Sequence, residues 1–160
     1  MPLPSRRWAV AATVGALATL FAIEPSVSAP LTKTDTFVTA ETSGILTIEG
    51  GECFTDPAYS AREAEVMVRY EPCEEGADNQ SYAFLRAADG PWDRPGLAAY
   101  AWQGCGGFFD RRWPDRGRGT LDYYPILPTA QTWADGDRTV MCVVYRPGGR
   151  LTDSVLPLRR

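Results

Sequence analysis

The chain predicts an α+β domain: an antiparallel sheet packed against one main helix and stapled by two disulfides. Three observations predict it. Short apolar segments bounded by turn residues recur along the chain, and 139–145 carries the strongest strand signal. A single long stretch, opening at Pro95, repeats apolar residues at spacings of three and four. Four cysteines, Cys53, Cys73, Cys105 and Cys142, follow an apolar N-terminal leader. Outside the cytoplasm an even cysteine count reads as disulfides.

The leader has the layout of a secretory signal peptide. Arg6 and Arg7 form a basic start, residues 8–23 are uncharged and mostly apolar, and Glu24-Pro25 breaks the run before the small residues 26–29. The run is shorter than the about 20 apolar residues of a spanning helix. Val27 and Ala29 favour a cut before Pro30, and Ser26 and Ser28 favour one a residue earlier. If neither is used, the leader remains as an anchor. Residues 1–29 are therefore expected to be a signal peptide or N-terminal anchor. Residues 30–44, rich in Thr and Ser, are expected to be a flexible linker, and 45–160 the domain. The protein is expected outside the cytoplasm, secreted or held at the membrane by its N-terminal segment.

Within the domain, 45–48 reads as a strand that Gly50-Gly51 turns into Cys53-Phe54. Residues 62–71 alternate, with Ala64, Val66, Val68 and Tyr70 on one face of a half-buried strand. After the polar turn 74–79, a strand over 81–88 ends at Asp89-Gly90-Pro91. Pro95 suits a first helical turn, and Leu97, Tyr100, Ala101, Cys105, Phe108 and Phe109 form one apolar helical face. Gly104, Gly106 and Gly107 each weaken that helix by about 1 kcal/mol against alanine. They signal close packing on a sheet or a break. Pro125 and Pro128 make 121–127 an edge strand or extended segment. Residues 129–133 read as a short helical turn, Asp135-Gly136-Asp137 as a turn, and Pro147-Gly148-Gly149 as a hairpin loop into a last strand over 151–156.

Composition removes several functions. The chain has no histidine and a net charge of −4. It lacks the commonest general base and metal ligand, and it has no electrostatic footprint for nucleic acid. Contact with a membrane is expected only through an uncleaved N-terminal segment, and no cofactor is expected. The serines have neither a histidine partner nor a Gly-x-Ser-x-Gly elbow. Asp135-x-Asp137 lacks the later ligands of a calcium loop, so Asp137 and Arg138 are read as a turn that pairs locally or caps the next strand. Glu74, Glu75 and Asp78 are the carboxylates a hydrolase would need, and a solvated loop is the simpler reading. Among the aromatic residues most are expected in the core. Trp92 and Trp113 lie in polar surroundings and are the candidate contact surface for a glycan or a protein.

Gly51-Glu52-Cys53-Phe54, Tyr70-Glu71-Pro72-Cys73, Cys105 with Phe108, and Tyr124-Pro125 recur in the order of a known pattern. The run Trp133-Ala134-Asp135-Gly136-Asp137-Arg138-Thr139-Val140-Met141-Cys142 and the close Leu151-Thr152-Asp153-Ser154 continue it. Together, over about 46–155, they resemble the septum formation-related domain of secreted or membrane-anchored actinobacterial proteins. The resemblance is most specific at the C-terminal run. Ala77 occupies the place of that family's histidine, so no role resting on that histidine transfers. The resemblance implies a cell-envelope protein.

Four cysteines allow three connectivities. Cys53–Cys73 with Cys105–Cys142 is the favoured one, because the second bridge would staple the helix to the strand 139–145. No Cys-x-x-Cys occurs, and the dispersed spacing does not suit zinc. The expected function is a non-catalytic extracytoplasmic domain that binds an unidentified cell-envelope protein or polymer. A carboxylate-dependent cell-wall hydrolase and an aromatic glycan-binding module are the alternatives.

Overall fold

The structure, a computed structural model, describes residues 31–114 and 120–156; the leader and its cleavage points lie outside the described residues. The elements are β1 (Cys53–Phe54), β2 (Ala58–Ser60), β3 (Glu65–Met67), β4 (Asn79–Arg86), α1 (Arg94–Arg112), β5 (Asp122–Ile126), α2 (Ala130–Ala134) and β6 (Thr139–Tyr145), with single 3-10 turns at Ile45–Thr47 and Cys73–Glu75. The main sheet is antiparallel with strand order β1-β4-β6-β5. The fold is thus the expected α+β arrangement. As Pro125 requires, β5 is an edge strand.

Strand β6 explains why two layers cover the sheet. Every residue of it after Thr139 is buried, and alternate side chains serve opposite faces. Val140, Cys142 and Val144 join the core beneath α1, with Leu97, Ala101, Phe109 and Trp113. Met141, Val143 and Tyr145 join a second core with Val38, Ile45, Ile48, Phe54 and Val68. A strand buried on both faces reads as a continuous apolar run.

That second layer corrects the expected linker over 30–44. Lys33, Val38 and Ala40 are buried, the Ala40 N–H donates to the Leu127 carbonyl at 3.0 Å, and Phe37 packs edge-on against Tyr124. Residues 31–44 form a strap over the sheet face opposite α1. The strand expected at 45–48 is also absent. Ile45–Thr47 is a 3-10 turn that buries Ile45 and leaves Leu46 exposed, because this segment caps a core rather than extending the sheet.

Helix α1 runs unbroken. The Asp93 carboxylate caps it by accepting from the Gly96 N–H, Pro95 lies in its first turn, and Arg111 and Arg112 complement the C-terminal dipole. Leu97, Ala101, Cys105 and Phe109 form its buried stripe, and the C-cap Trp113 extends it by one more step of four. The glycines mark close approach, not a break. A Cβ on Gly104 would come within 2.5 Å of Leu85, and one on Gly106 within 2.5 Å of the Tyr123 hydroxyl. Tyr123 cannot easily retreat, since its ring lies against Phe109 and Trp102. Gly107 meets only the Arg111 guanidinium, at 3.4 Å. Gly107→Ala is therefore expected to stabilise by up to about 1 kcal/mol. Gly106→Ala is expected to destabilise by about 1 kcal/mol net, as overpacking of 1–3 kcal/mol outweighs the helix propensity gained. Urea midpoints of the two variants check the opposite signs.

Two further expectations are corrected. The strand over 62–71 shrinks to Glu65–Met67 in a separate hairpin with β2. Of its supposed inner face only Val68 is buried, while Val66 and Tyr70 are exposed. Standing apart from the main sheet, the hairpin has no layer to bury them against. The C-terminal segment 151–156 is not a strand. Leu151 makes a single bridge to Ala77, and the buried Gln80 holds the rest, its side chain donating to Ser154 Oγ at 2.8 Å and accepting from the Val155 N–H at 2.9 Å.

Both disulfides are present as favoured. Cys105–Cys142 joins the centre of α1 to β6, and Cys53–Cys73 joins β1 to the turn Cys73–Glu75, with Cα separations of 5.3 and 5.2 Å. Cys73 reaches Cys53 because the Glu71 N–H pairs with the Cys53 carbonyl at 3.0 Å.

Candidate functional site

An open apolar cleft of about 250 Å³ lies between the N-terminal half of α1 and the loop after β4, lined by Ala87, Pro91, Leu97, Tyr100 and Trp133 among others. Its wall, Trp133, comes from α2. The sequence builds that short helix with a reciprocal cap between Thr129 and Thr132. The Trp133 indole N–H donates to the Gly90 carbonyl at 3.0 Å, and the Arg138 guanidinium stacks 3.9 Å from its ring centroid. Arg138 is fixed in turn by the Trp133 carbonyl at 2.7 Å and Asp89 at 3.0 Å. Asp137, as expected of the turn, caps β6 by accepting from the Thr139 N–H. Tyr100 is exposed at the rim, its hydroxyl tied to the Arg86 carbonyl. Asp93 also lines the cleft, but its carboxylate is engaged as the helix cap. The cleft is suited to hold an apolar or planar group.

The sequence candidates divide. Trp92 is half-buried and leans on Trp133, with ring centroids 5.6 Å apart, which places it beside the cleft. Trp113 is not a surface residue. It is 7 % exposed, packs on Tyr82 and Phe109, and donates its indole N–H to the Val155 carbonyl at 3.1 Å. The C-terminal segment supplies that acceptor. Glu74 and Glu75 are exposed on the Cys73–Glu75 turn. Asp78 instead turns inward, accepting from the Asp56 N–H at 2.9 Å and Arg150 at 3.2 Å. None of the three lines this cleft. Among the described residues, no cluster of three or more His, Cys, Asp or Glu residues is placed to hold a metal ion, and no helix is long and apolar enough to cross a membrane.

Sequence reading missed a second cluster, on the strap face. Lys33, the only lysine of the chain, is 4 % exposed. Its Nζ pairs with Asp56 Oδ1 and donates to Asn79 Oδ1 at 2.9 Å. The rings of Phe37, Tyr124 and Tyr145 surround it, with centroids 5.1, 5.9 and 4.9 Å away. Asn79, wholly buried, donates from Nδ2 to Asp56 Oδ1 at 2.9 Å and accepts at Oδ1 from the Tyr124 hydroxyl at 3.0 Å. Burial pulls the Lys33 ammonium below its usual range, against the opposing pull of Asp56 and Asp78. A lone lysine was the available signal; Asn79 was read in the polar turn 74–79, whereas it opens β4. Their meeting across 46 positions left no signal.

Burial also pushes the phenols of Tyr82 and Tyr124 well above their ordinary value of 10.0. The native state then holds protons that the unfolded chain releases. Their contribution to stability is complete below about pH 10 and is lost as pH rises toward the folded values. In an alkaline titration, the phenolate absorbance of these two is expected to appear only together with loss of the circular dichroism signal. Full titration of every tyrosine in a native spectrum would contradict this.

Fold and staples define a small, disulfide-linked α+β domain of the kind that suits an oxidising compartment outside the cytoplasm. No protein-family model, curated protein or solved structure matches the chain.

Proposed function

We propose that this chain is a non-catalytic domain of the cell envelope that binds a protein or polymer there through the cleft beside Trp92 and Trp133. The cleft carries the reading: it is apolar, walled by an indole held by a hydrogen bond to Gly90 and by the stacked Arg138 guanidinium, and rimmed by an exposed tyrosine. Rigid aromatic side chains are common anchors of binding sites. The two disulfides support a place outside the cytoplasm. The resemblance to septum formation-related domains supports the envelope assignment. Its most specific run supplies Trp133, which lines the cleft, and Arg138, which stacks on the Trp133 ring. A role at the division septum rests on that resemblance alone. Asp78 is engaged by the Asp56 N–H and Arg150, and neither it nor Glu74 or Glu75 lines the cleft, which favours binding over a paired-carboxylate hydrolase as the reading of this cleft.

Incubating the purified protein with cell-wall polymer, and separately with solubilised envelope proteins, tests the reading. Retention without release of fragments is expected from one of the two. Trp92→Ala and Tyr100→Ala should each reduce it about tenfold, the equivalent of about 1.4 kcal/mol. Released polymer fragments would replace binding by hydrolysis. Undiminished retention in both variants would place the site elsewhere.

A further inference from the structure

We propose that Lys33 and Asn79 are joined by an intramolecular isopeptide bond, formed by the folded chain itself with Asp56 as proton carrier and Tyr124 as oxyanion donor. Four independent features of the buried cluster meet the requirements of that reaction.

The first is the pairing of nucleophile and electrophile. Lys33 Nζ lies 2.9 Å from Asn79 Oδ1, and the carboxamide carbon is one bond further. Both residues are shut away from water, at 4 % and 0 % exposure, so hydrolysis cannot compete for the carbon. The second is the proton path. A single oxygen, Asp56 Oδ1, contacts both Lys33 Nζ and Asn79 Nδ2, the atom that must lose a proton and the atom that must gain one. The third is charge stabilisation. When Nζ adds to the carbonyl, negative charge develops on Asn79 Oδ1, where the Tyr124 hydroxyl already donates at 3.0 Å. The fourth is the state of the amine. Burial strips water from the amine and lowers its pKa, against the pull of Asp56 and Asp78 and of the ring faces of Phe37, Tyr124 and Tyr145 toward the ammonium. A neutral amine is the reactive form.

The step balances without an outside reagent. Lys33 gives one proton to Asp56 and attacks Asn79 Cγ with the freed electron pair, forming the Nζ–Cγ bond. The tetrahedral adduct gives up a second Nζ proton as it collapses. Protonation of Nδ2 through Asp56 lets the Cγ–Nδ2 bond break, and ammonia departs with the remaining proton as ammonium. The product is a secondary amide between strap and sheet. No electrons are transferred and no cofactor is required. In a protein held by its N-terminal segment, the link would pass tension from residue 33 directly into β4 rather than through the strap.

The chain's single lysine makes the test simple. The exported full-length protein is reduced, denatured and weighed intact, then digested. The mass is expected to fall below that of the processed sequence by one ammonia. A lysine-specific protease is expected to leave the chain uncut, and trypsin to yield one branched peptide joining the segments around Lys33 and Asn79. Asp56→Ala and Tyr124→Phe should each leave most of the product at full mass and restore cleavage at Lys33. Lys33→Arg should abolish the loss entirely. An unmodified wild-type mass overturns the proposal. So does ammonia loss on a linear peptide, which would be a succinimide at Asn79, and so does loss of water with Lys33 joined to Asp56. Because the wild-type mass alone decides, poor folding of a variant does not protect the idea.

Discussion

A chain that begins at Ile45 is expected to lose about 4 kcal/mol or more of stability relative to one that begins at Leu31, and to unfold at a correspondingly lower urea concentration. Composition alone places residues 31–44 outside the domain, but the structure places them in it. Val38 is 1 % exposed among Ile45, Phe54 and Val143, and burying such a side chain is worth about 1.5–3 kcal/mol. Removing Lys33 takes away the partner of Asp56 and a donor to the buried Asn79. Orphaning buried polar groups costs about 1–3 kcal/mol each, and more for a charged group. The strap's pairing with Leu127 through Thr39 and Ala40 is lost as well. Domains of this size have only about 5–15 kcal/mol in hand. The apolar face of β6 and β5 that the strap covers would also open to water, so the truncated chain should bind a hydrophobic dye. Equal urea midpoints for the two chains would mean that the strap contributes nothing to the fold.

The strap shows where sequence reading stops. Strands β4 and β6, helix α1, the short α2 and the edge position of β5 were legible, because each carries a local signal: an apolar run, a spacing of three and four, a capping threonine, a proline. The disulfide pairing followed from placing Cys105 on the helix and Cys142 on the strongest strand. Residues 31–44 have no such periodicity. Apart from the exposed Leu31, their apolar side chains, Phe37, Val38 and Ala40, matter only because β6 needs cover on its second face, a demand that arises after the sheet has formed. The hairpin β2–β3 misled in the opposite direction, since its alternation resembled a core strand while the fold leaves it outside. Of the candidate site, Trp92 was legible from its polar setting. The same rule failed for Trp113, whose indole finds a backbone acceptor in the C-terminal segment 42 positions away. Trp133 and Arg138 were visible as a motif, but not as a stacked pair.

Removal of the Cys105–Cys142 bridge by Cys105→Ala with Cys142→Ala is expected to cost more than removal of Cys53–Cys73, by two separate mechanisms. The first acts on the unfolded chain. The bridges span 37 and 20 residues, and loop-closure entropy assigns them roughly 4 and 3 kcal/mol. That difference alone is small. The second acts on the folded state. Cys105 and Cys142 are both fully buried at the contact of α1 with β6, where the helix already sits tight against the Leu85 and Tyr123 side chains at Gly104 and Gly106. Losing both sulfurs leaves a void that the helix cannot close, which adds about 1–2 kcal/mol by the usual cost of cavities. Cys53 is also buried, but Cys73 is only partly buried on its turn, so that site can relax. Exposure further predicts that limited thiol reductant opens Cys53–Cys73 first, with the core bridge yielding only on unfolding. Chemical denaturation of the two double variants, together with mass mapping of alkylated cysteines during partial reduction, checks both statements. Equal destabilisation by the two pairs would show that the helix does relax onto β6, and that the close glycine contact does not hold it in place.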